Sequence, residues 1–280
     1  MSQSEKGILV LKANGNREPF KAEKLRHSLV VAGATDDEAR QVSDHIESEL
    51  EEGMTTGMIY DHALVLLRRM KKPVAARYSL KRAIAELGPS GFPFEKFVAE
   101  LFRARGFTVE TNQFVKGRCA EHEIDIVMWN DEKLLMAEAK FHNELGIKSD
   151  MKVALYIKAR FDDIKGQPQF YGRKRLLEEG MLITNTKFTE KAVQYSQCAG
   201  IKLMGWNYPK DKNLHSLVED IGLHPLTCLE SLSLNEKKNL LEKGVVLCRD
   251  VREHRILEEI GVPKQRIDEI IEESHFLCPA

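Results

Sequence analysis

The sequence predicts a protein of the α/β (α+β) class, on three observations. Four stretches near the N-terminus, about residues 21–33, 36–52, 57–71 and 73–87, carry apolar residues at the three-to-four spacing of an amphipathic helix. Two short apolar runs, 124–129 and 134–140, are rich in strand formers and flank the polar loop Asn130-Asp131-Glu132-Lys133, which has hairpin length. The last stretch, about 211–280, returns to helical spacing near 213–220, 233–243, 249–260 and 263–275.

Taken in order, Ile8-Leu9-Val10-Leu11-Lys12 reads as a strand, and Asn14-Gly15 is a strong turn signal. Pro73 suits the first turn of the fourth helix. Gly88-Pro89-Ser90-Gly91 stops that helix and marks a boundary, so residues 1–88 form a first domain. After the two apolar runs, 150–161 reads as a helix bearing Lys152, Lys158 and Arg160. Residues 167–175 start another, and there Phe170 and Tyr171 mix with Arg173, Lys174 and Arg175, a composition suited to a DNA-facing surface.

Composition narrows the class further. A chain of 280 residues has room for two domains or more, and 42% hydrophobic with 30% charged residues reads as soluble and globular. No apolar run approaches the roughly 20 residues of a membrane span, and Glu5 and Lys6 interrupt any signal-peptide pattern. No membrane partner is expected. The five cysteines are scattered without a CxxC pair, which fits a reducing cytoplasm and argues against a zinc site. With a net charge of −1, any nucleic-acid contact must come from local basic patches.

The two apolar runs carry the chemistry. If Trp129 pairs with Leu134 across the loop, counting back sets Asp125 opposite Glu138. Opposed side chains on paired strands lie roughly 4.5–5.5 Å apart, and alternation puts Lys140 on the face of Glu138. Two opposed carboxylates repel unless a divalent cation relieves them, and hard oxygen ligands suit magnesium. An ammonium beside such an ion suits hydrolysis of a phosphodiester by a metal-bound water. The plain alternative is a solvated hairpin.

Glu123-Ile124-Asp125 followed by Glu138-Ala139-Lys140 resembles the PD-(D/E)xK nuclease core, in the branch similar to Mrr-type restriction endonucleases. Residues 94–107 resemble that family's first helix, 182–189 its late strand leading into a helix, and 200–206 its last strand. Isoleucine, not proline, precedes Asp125. The resemblance implies a restriction-endonuclease-like mixed β-sheet flanked by helices over 92–210. It implies Asp125, Glu138 and the Ala139 carbonyl as ligands to Mg²⁺ (or Mn²⁺), with Lys140 positioning the water. Glu95 reaches the same metal on this reading, Glu123 supports the ligands, and Gln169, with Gln167 as its rival, lies near the site. His122 and His142 flank the two strands and are read as structural.

In the first domain, Val10-Leu11-Lys12-Ala13-Asn14-Gly15, Glu18-Pro19-Phe20, Lys24-Leu25, Thr55-Thr56 and Ala75-Ala76-Arg77-Tyr78 resemble an ATP-cone, a mostly helical regulatory nucleotide-binding domain. The resemblance implies that Lys12, Glu18, Lys24 and Thr56 contact ATP or dATP. The family often has Lys-Arg-Asp-Gly where this chain has Lys12-Ala13-Asn14-Gly15, one cation fewer. No GxxxxGK[ST] loop is present, so the nucleotide is an effector rather than a fuel. The tail over 211–280 forms a small helical domain. Its turn at Ile260-Gly261-Val262-Pro263 resembles a helix-hairpin-helix unit, but acidic flanks favour packing or oligomerisation over phosphate contact.

Together these readings imply a cytoplasmic, homo-oligomeric, metal-dependent DNA endonuclease regulated by ATP or dATP. The alternatives are a nucleotide-responsive DNA-binding regulator with an inactive nuclease fold, and a nuclease for branched DNA or RNA.

Overall fold

A computed structural model describes residues 8–12, 15–70, 72–144 and 146–278. The chain divides into two compact units, 1–80 and 81–280.

In the first unit, β1 (Leu9–Leu11) pairs antiparallel with β2 (Arg17–Pro19). Asn14, half of the expected turn signal, lies outside the described residues. Its neighbour Gly15 takes a φ of 80° and donates to the Lys12 carbonyl, closing the turn. Three helices follow: α1 (Ala22–Val31), α2 (Asp36–Ser48) and α3 (Thr56–Met70). Helix α2 starts sharply because Thr35 and Glu38 form a reciprocal capping box. Leu25, Leu29, Val42, Ile46, Ala63 and Leu67 pack as one core with Val10 of the hairpin. Arg77 of α4 (Lys72–Ala85) donates to the Ala32 carbonyl and fills the space beside Gly33.

The second unit opens with α5 (Phe92–Ala104), whose Phe94, Phe97, Val98 and Leu101 are fully buried. Next come β3 (Thr108–Lys116), β4 (Glu121–Trp129) and β5 (Leu134–Lys140), the short β6 (Lys148–Ser149), and α6 (Met151–Ile164), capped by Asp150. Then follow β7 (Gln169–Tyr171), β8 (Arg173–Arg175), β9 (Glu179–Thr184), β10 (Lys187–Phe188), α7 (Glu190–Ala199) and β11 (Lys202–Met204). The main sheet has the order β11-β9-β5-β4-β3. It is antiparallel across β3, β4 and β5 and parallel from β5 through β9 to β11, so it is a mixed sheet. Helices α6 and α7 cover it through Ile157, Phe161, Ile164 and Ala192, packed on Val127, Met136 and Leu182.

Phe161 lies where a side chain at Gly180 would sit, with a Cβ there only 2.2 Å from its ring. Gly180→Ala is therefore expected to cost about 1–3 kcal/mol through overpacking, read as a lowered denaturant midpoint.

The remainder is helical: α8 (Leu214–Ile221), a 3-10 turn at Leu226–Cys228, α9 (Leu234–Glu242), a second 3-10 turn at Cys248–Arg252, α10 (His254–Glu259) and α11 (Lys264–Leu277). No helix among the described residues is long and apolar enough to cross a membrane.

Three expectations are corrected here. Residues 167–175 form no helix. They fold as the β7–β8 hairpin, turning at Gly172 with a φ of 69° and with Tyr171 packed on Trp129 at 5.0 Å between centroids. That tertiary contact outweighs the helix propensity of the run's Gln, Lys and Arg residues. Residues 249–260 do not form one helix, because Glu253 is extended (φ −80°, ψ 110°) between the second 3-10 turn and α10. The cysteines are not all reduced: Cys248 and Cys278 form a disulfide, while Cys119, Cys198 and Cys228 are free.

Candidate active site

The β4–β5 hairpin has the register counted from the sequence, with Trp129 opposite Leu134. Its loop is tied by the Asn130 side chain, which accepts from the Glu132 and Lys133 amides at 3.0 Å each. The β4–β5 ladder runs inward to Ile126 opposite Ala137, so Asp125 and Glu138 stand one step beyond its last pair. There the Asp125 carboxylate accepts the Ala139 amide at 2.7 Å. Across β3, the register sets Asn112 at the level of Asp125, between the pairs Thr111–Ile126 and Gln113–Ile124. Asn112 takes a φ of 55°, a left-handed conformation that asparagine tolerates. Ile124 and Val127 pack into the same core, so strict alternation breaks at Asp125, where an irregular strand can re-aim a side chain.

A cleft of about 490 Å³ at this point is lined by Glu95, Asp125, Glu138, Ala139, Lys140 and His142. Glu95 arrives from the first turn of α5. Among the described residues its Oε2 is buried without a hydrogen-bond partner, and its carboxyl is pushed up to about 7, first by burial and then by Asp125, Glu138 and Glu123. Burial is also the leading cause that pushes the Asp125 and Glu138 carboxyls up. Arg160 of α6 opposes this at Glu138, donating to its Oε2 at 2.5 Å and also to the Glu123 carbonyl. From the sequence, Arg160 is one of three cations on the helix over 150–161, with no place in the site. The signal for its inward role is its place between Ile157 and Phe161, on the border of the buried face of α6.

The donor set fits a hard divalent cation. A buried carboxylate oxygen without a partner, beside two further carboxylates and a backbone carbonyl, is an oxygen-only ligand field. The residues that would hold the ion are Glu95, Asp125, Glu138 and the Ala139 carbonyl.

A folded pKa raised from 4.5 to about 7 means that the folded state retains the Glu95 proton across that window. Metal-free stability is therefore expected to fall as pH rises from about 4.5 to 7. Affinity for Mg²⁺ or Mn²⁺ is expected to rise over the upper part of this window and level off above about 7. Denaturant melts in chelator and a calorimetric Mn²⁺ titration at pH 5.5, 6.5 and 7.5 check the two slopes.

Gln169 is not brought to the cleft. It lies on β7, where its side chain donates to the Lys116 carbonyl at 2.8 Å, beside Glu110, Gln113, Trp129 and Tyr171. Gln167 does not line the cleft either. His122 bonds Asp163 at 2.8 Å, and that bond is the leading cause holding the Asp163 carboxyl well below its usual range. His142 bonds the Ser149 hydroxyl at 3.0 Å, and its backbone exchanges two hydrogen bonds with the Asn185 side chain.

In the first unit, Lys12 and Lys24 both meet one oxygen of Glu18, at 2.8 and 3.2 Å. Lys12 is the leading cause that holds the Glu18 carboxyl below its usual range. Thr56 opens α3, while Thr55 supplies the cap by accepting the Met58 amide. Lys12, Glu18 and Lys24 thus form one exposed cluster, with Thr56 at a helix start.

Three family models match the chain: the ATP cone domain over 8–86, a restriction endonuclease model of the Mrr catalytic type over 88–207, and the AF1548-like C-terminal domain over 224–278. An uncharacterized protein of Archaeoglobus fulgidus is 37% identical over 179 residues, which is 63% of this chain and 97% of that protein. The crystal structure of a protein of unknown function, AF1548, matches at 35% identity with a TM-score of 0.55, covering 68% of this chain and all (100%) of that one. The MspJI restriction endonuclease in complex with a 27-mer oligonucleotide matches at 12% identity and a TM-score of 0.36, over 71% of this chain and 39% of that one.

Proposed function

Because this chain belongs to the family of the Archaeoglobus fulgidus relative, and joins an ATP cone to an Mrr-like restriction-endonuclease domain, we propose that it is a metal-dependent DNA endonuclease controlled by nucleotide. One observation carries the reading: Glu95, Asp125, Glu138 and Lys140 share a single cleft in which a buried carboxylate oxygen lacks a partner.

Each residue then has a role. Asp125 is oriented by the Ala139 amide, and Glu138 is held by Arg160, whose charge opposes the upward push of burial on its carboxyl. Glu95 holds a proton below about pH 7 and releases it above. Lys140, exposed at the end of β5, positions the attacking water and meets the charge that builds on the phosphate. A bound Mg²⁺ or Mn²⁺ lowers the pKa of a coordinated water and offsets that same charge. Gln169 stands outside this set.

Lys12 and Lys24 offer two ammonium groups to the phosphates of ATP or dATP, with Glu18 and Thr56 completing the contacts. Lys12→Ala is expected to weaken ATP binding about tenfold by calorimetry, the loss of one charged contact. Segments 1–88, 92–210 and 211–280 act as regulatory, nuclease and packing domains of a cytoplasmic homo-oligomer.

The test is nicking of supercoiled plasmid with Mg²⁺, Mn²⁺ or chelator, each with and without ATP and dATP. Metal-dependent nicking that responds to nucleotide supports both halves of the proposal. Bound but uncut plasmid, plain or methylated, favours the DNA-binding regulator.

A further inference from the structure

In the first unit, the end of α2 meets α3 through three side chains that the nuclease reading does not use. His45 lies in the last turn of α2, and Glu49 is its C-cap, one helical turn later. His62 faces them from α3. The Nε2 of His45 is 3.3 Å from Glu49 Oε1, and the Nε2 of His62 is 3.4 Å from Glu49 Oε2. The two rings meet edge to face, with centroids 5.4 Å apart. One ligand atom from each residue falls within 4.8 Å of the other two.

We propose that His45, Glu49 and His62 form a binding site for a divalent transition-metal ion of the zinc class. Bonds of about 2.0–2.1 Å to a tetrahedral ion place ligand atoms about 3.3–3.4 Å apart, and each imidazole nitrogen stands at that distance from one of the two Glu49 oxygens, so the carboxylate faces both rings. Two imidazoles and one carboxylate select Zn²⁺, Ni²⁺ or Co²⁺ over Mg²⁺, which prefers an all-oxygen field. The i, i+4 spacing of His45 and Glu49 presents both from one face of α2, and His62 closes the site from a second helix. A thiolate-based search misses such a set, because it contains no cysteine.

The ion pins the end of α2 to α3. The segment just after Glu49 holds β1: Glu52 accepts the Leu9 amide at 3.1 Å, Gly53 donates to the Leu9 carbonyl, and Leu11 donates to the Met54 carbonyl. Strand β1 leads directly to Lys12, so the site braces the backbone that carries a proposed nucleotide contact.

The experiment is a calorimetric Zn²⁺ titration of the full, metal-stripped chain in excess Mg²⁺, which occupies the oxygen-only cleft, repeated with Co²⁺ while its visible absorption is recorded. The expected result is saturable binding near one equivalent, with a Co²⁺ spectrum of nitrogen and oxygen ligation. His62→Ala and Glu49→Gln, at partly exposed positions, should each weaken it at least tenfold with an unchanged circular dichroism spectrum. No saturable binding in the wild type, or binding unaltered in both variants, overturns the proposal. Neither outcome depends on whether the second unit cleaves DNA.

Discussion

Asp125→Asn is expected to abolish metal-dependent nicking, with a rate loss on the order of 10³ or more, while the protein stays folded. Asparagine keeps the volume and an acceptor oxygen for the Ala139 amide, so the junction of β4 and β5 is preserved. What disappears is one anionic ligand and part of the charge crowding that Glu138 and Glu95 feel from Asp125. In chelator the variant should therefore be no less stable than the wild type at pH 8. The Glu95 carboxyl should also titrate below about 7, since Asp125 is the second cause of its raised value. Full activity of the variant on plasmid would remove Asp125 from the reaction. A collapsed unfolding midpoint would make its role structural. Lys140→Met separates binding from chemistry, because Mn²⁺ affinity should persist while nicking falls.

The second large effect lies in the C-terminal helices. Cys248 and Cys278 close a loop with a sequence separation of 30. On the chain-entropy model such a loop contributes about 3–4 kcal/mol by restricting the unfolded state. The bond sits in a dense polar network. Ser274 is fully buried and donates to the Cys248 carbonyl at 2.7 Å, while Arg252 donates to Ser274 and to the Cys278 carbonyl. Cys278→Ser, or reduction of the wild type, is expected to lower stability by about that amount, with unfolding reporting first from the α9–α11 region by hydrogen exchange. Both cysteines are buried, so reduction in the folded state should be slow. A denaturant midpoint unmoved by reductant would show that the hydrogen bonds alone hold these helices. Plasmid nicking by the reduced protein would separate this region from the chemistry.

Local pattern carried much of the architecture. The three-to-four spacing placed α1, α2, α3 and α4 to within a few residues, and α1, α2 and α3 each bury one stripe. Register across β4 and β5 could be counted because a short polar loop leaves few ways to pair two strands. The same count set Asp125 opposite Glu138, one step beyond the last pair of the ladder, and the resemblance of Glu138-Ala139-Lys140 to a nuclease core suggested what they do. Those are properties of neighbours along the chain, and periodicity and motif spacing report neighbours well.

Contacts distant in sequence were out of reach. Arg160 meets Glu138 across 22 residues of sequence, and only its place on the border of the buried face of α6, not its residue type, separates that arginine from Lys152. The family resemblance implied Gln169 near the site, yet its strand carries Tyr171 packed on Trp129, and its own side chain bonds the Lys116 carbonyl of β3. The Cys248–Cys278 bond and the meeting of His45, Glu49 and His62 likewise join residues that no local pattern pairs. The sequence by itself determined the order of elements, the hairpin register and the acidic character of the centre, all set by near-neighbour sterics and burial periodicity. Tertiary structure alone decided which cation faces which carboxylate, because that choice depends on how helices dock across the sheet, and docking is settled by the packing of whole faces.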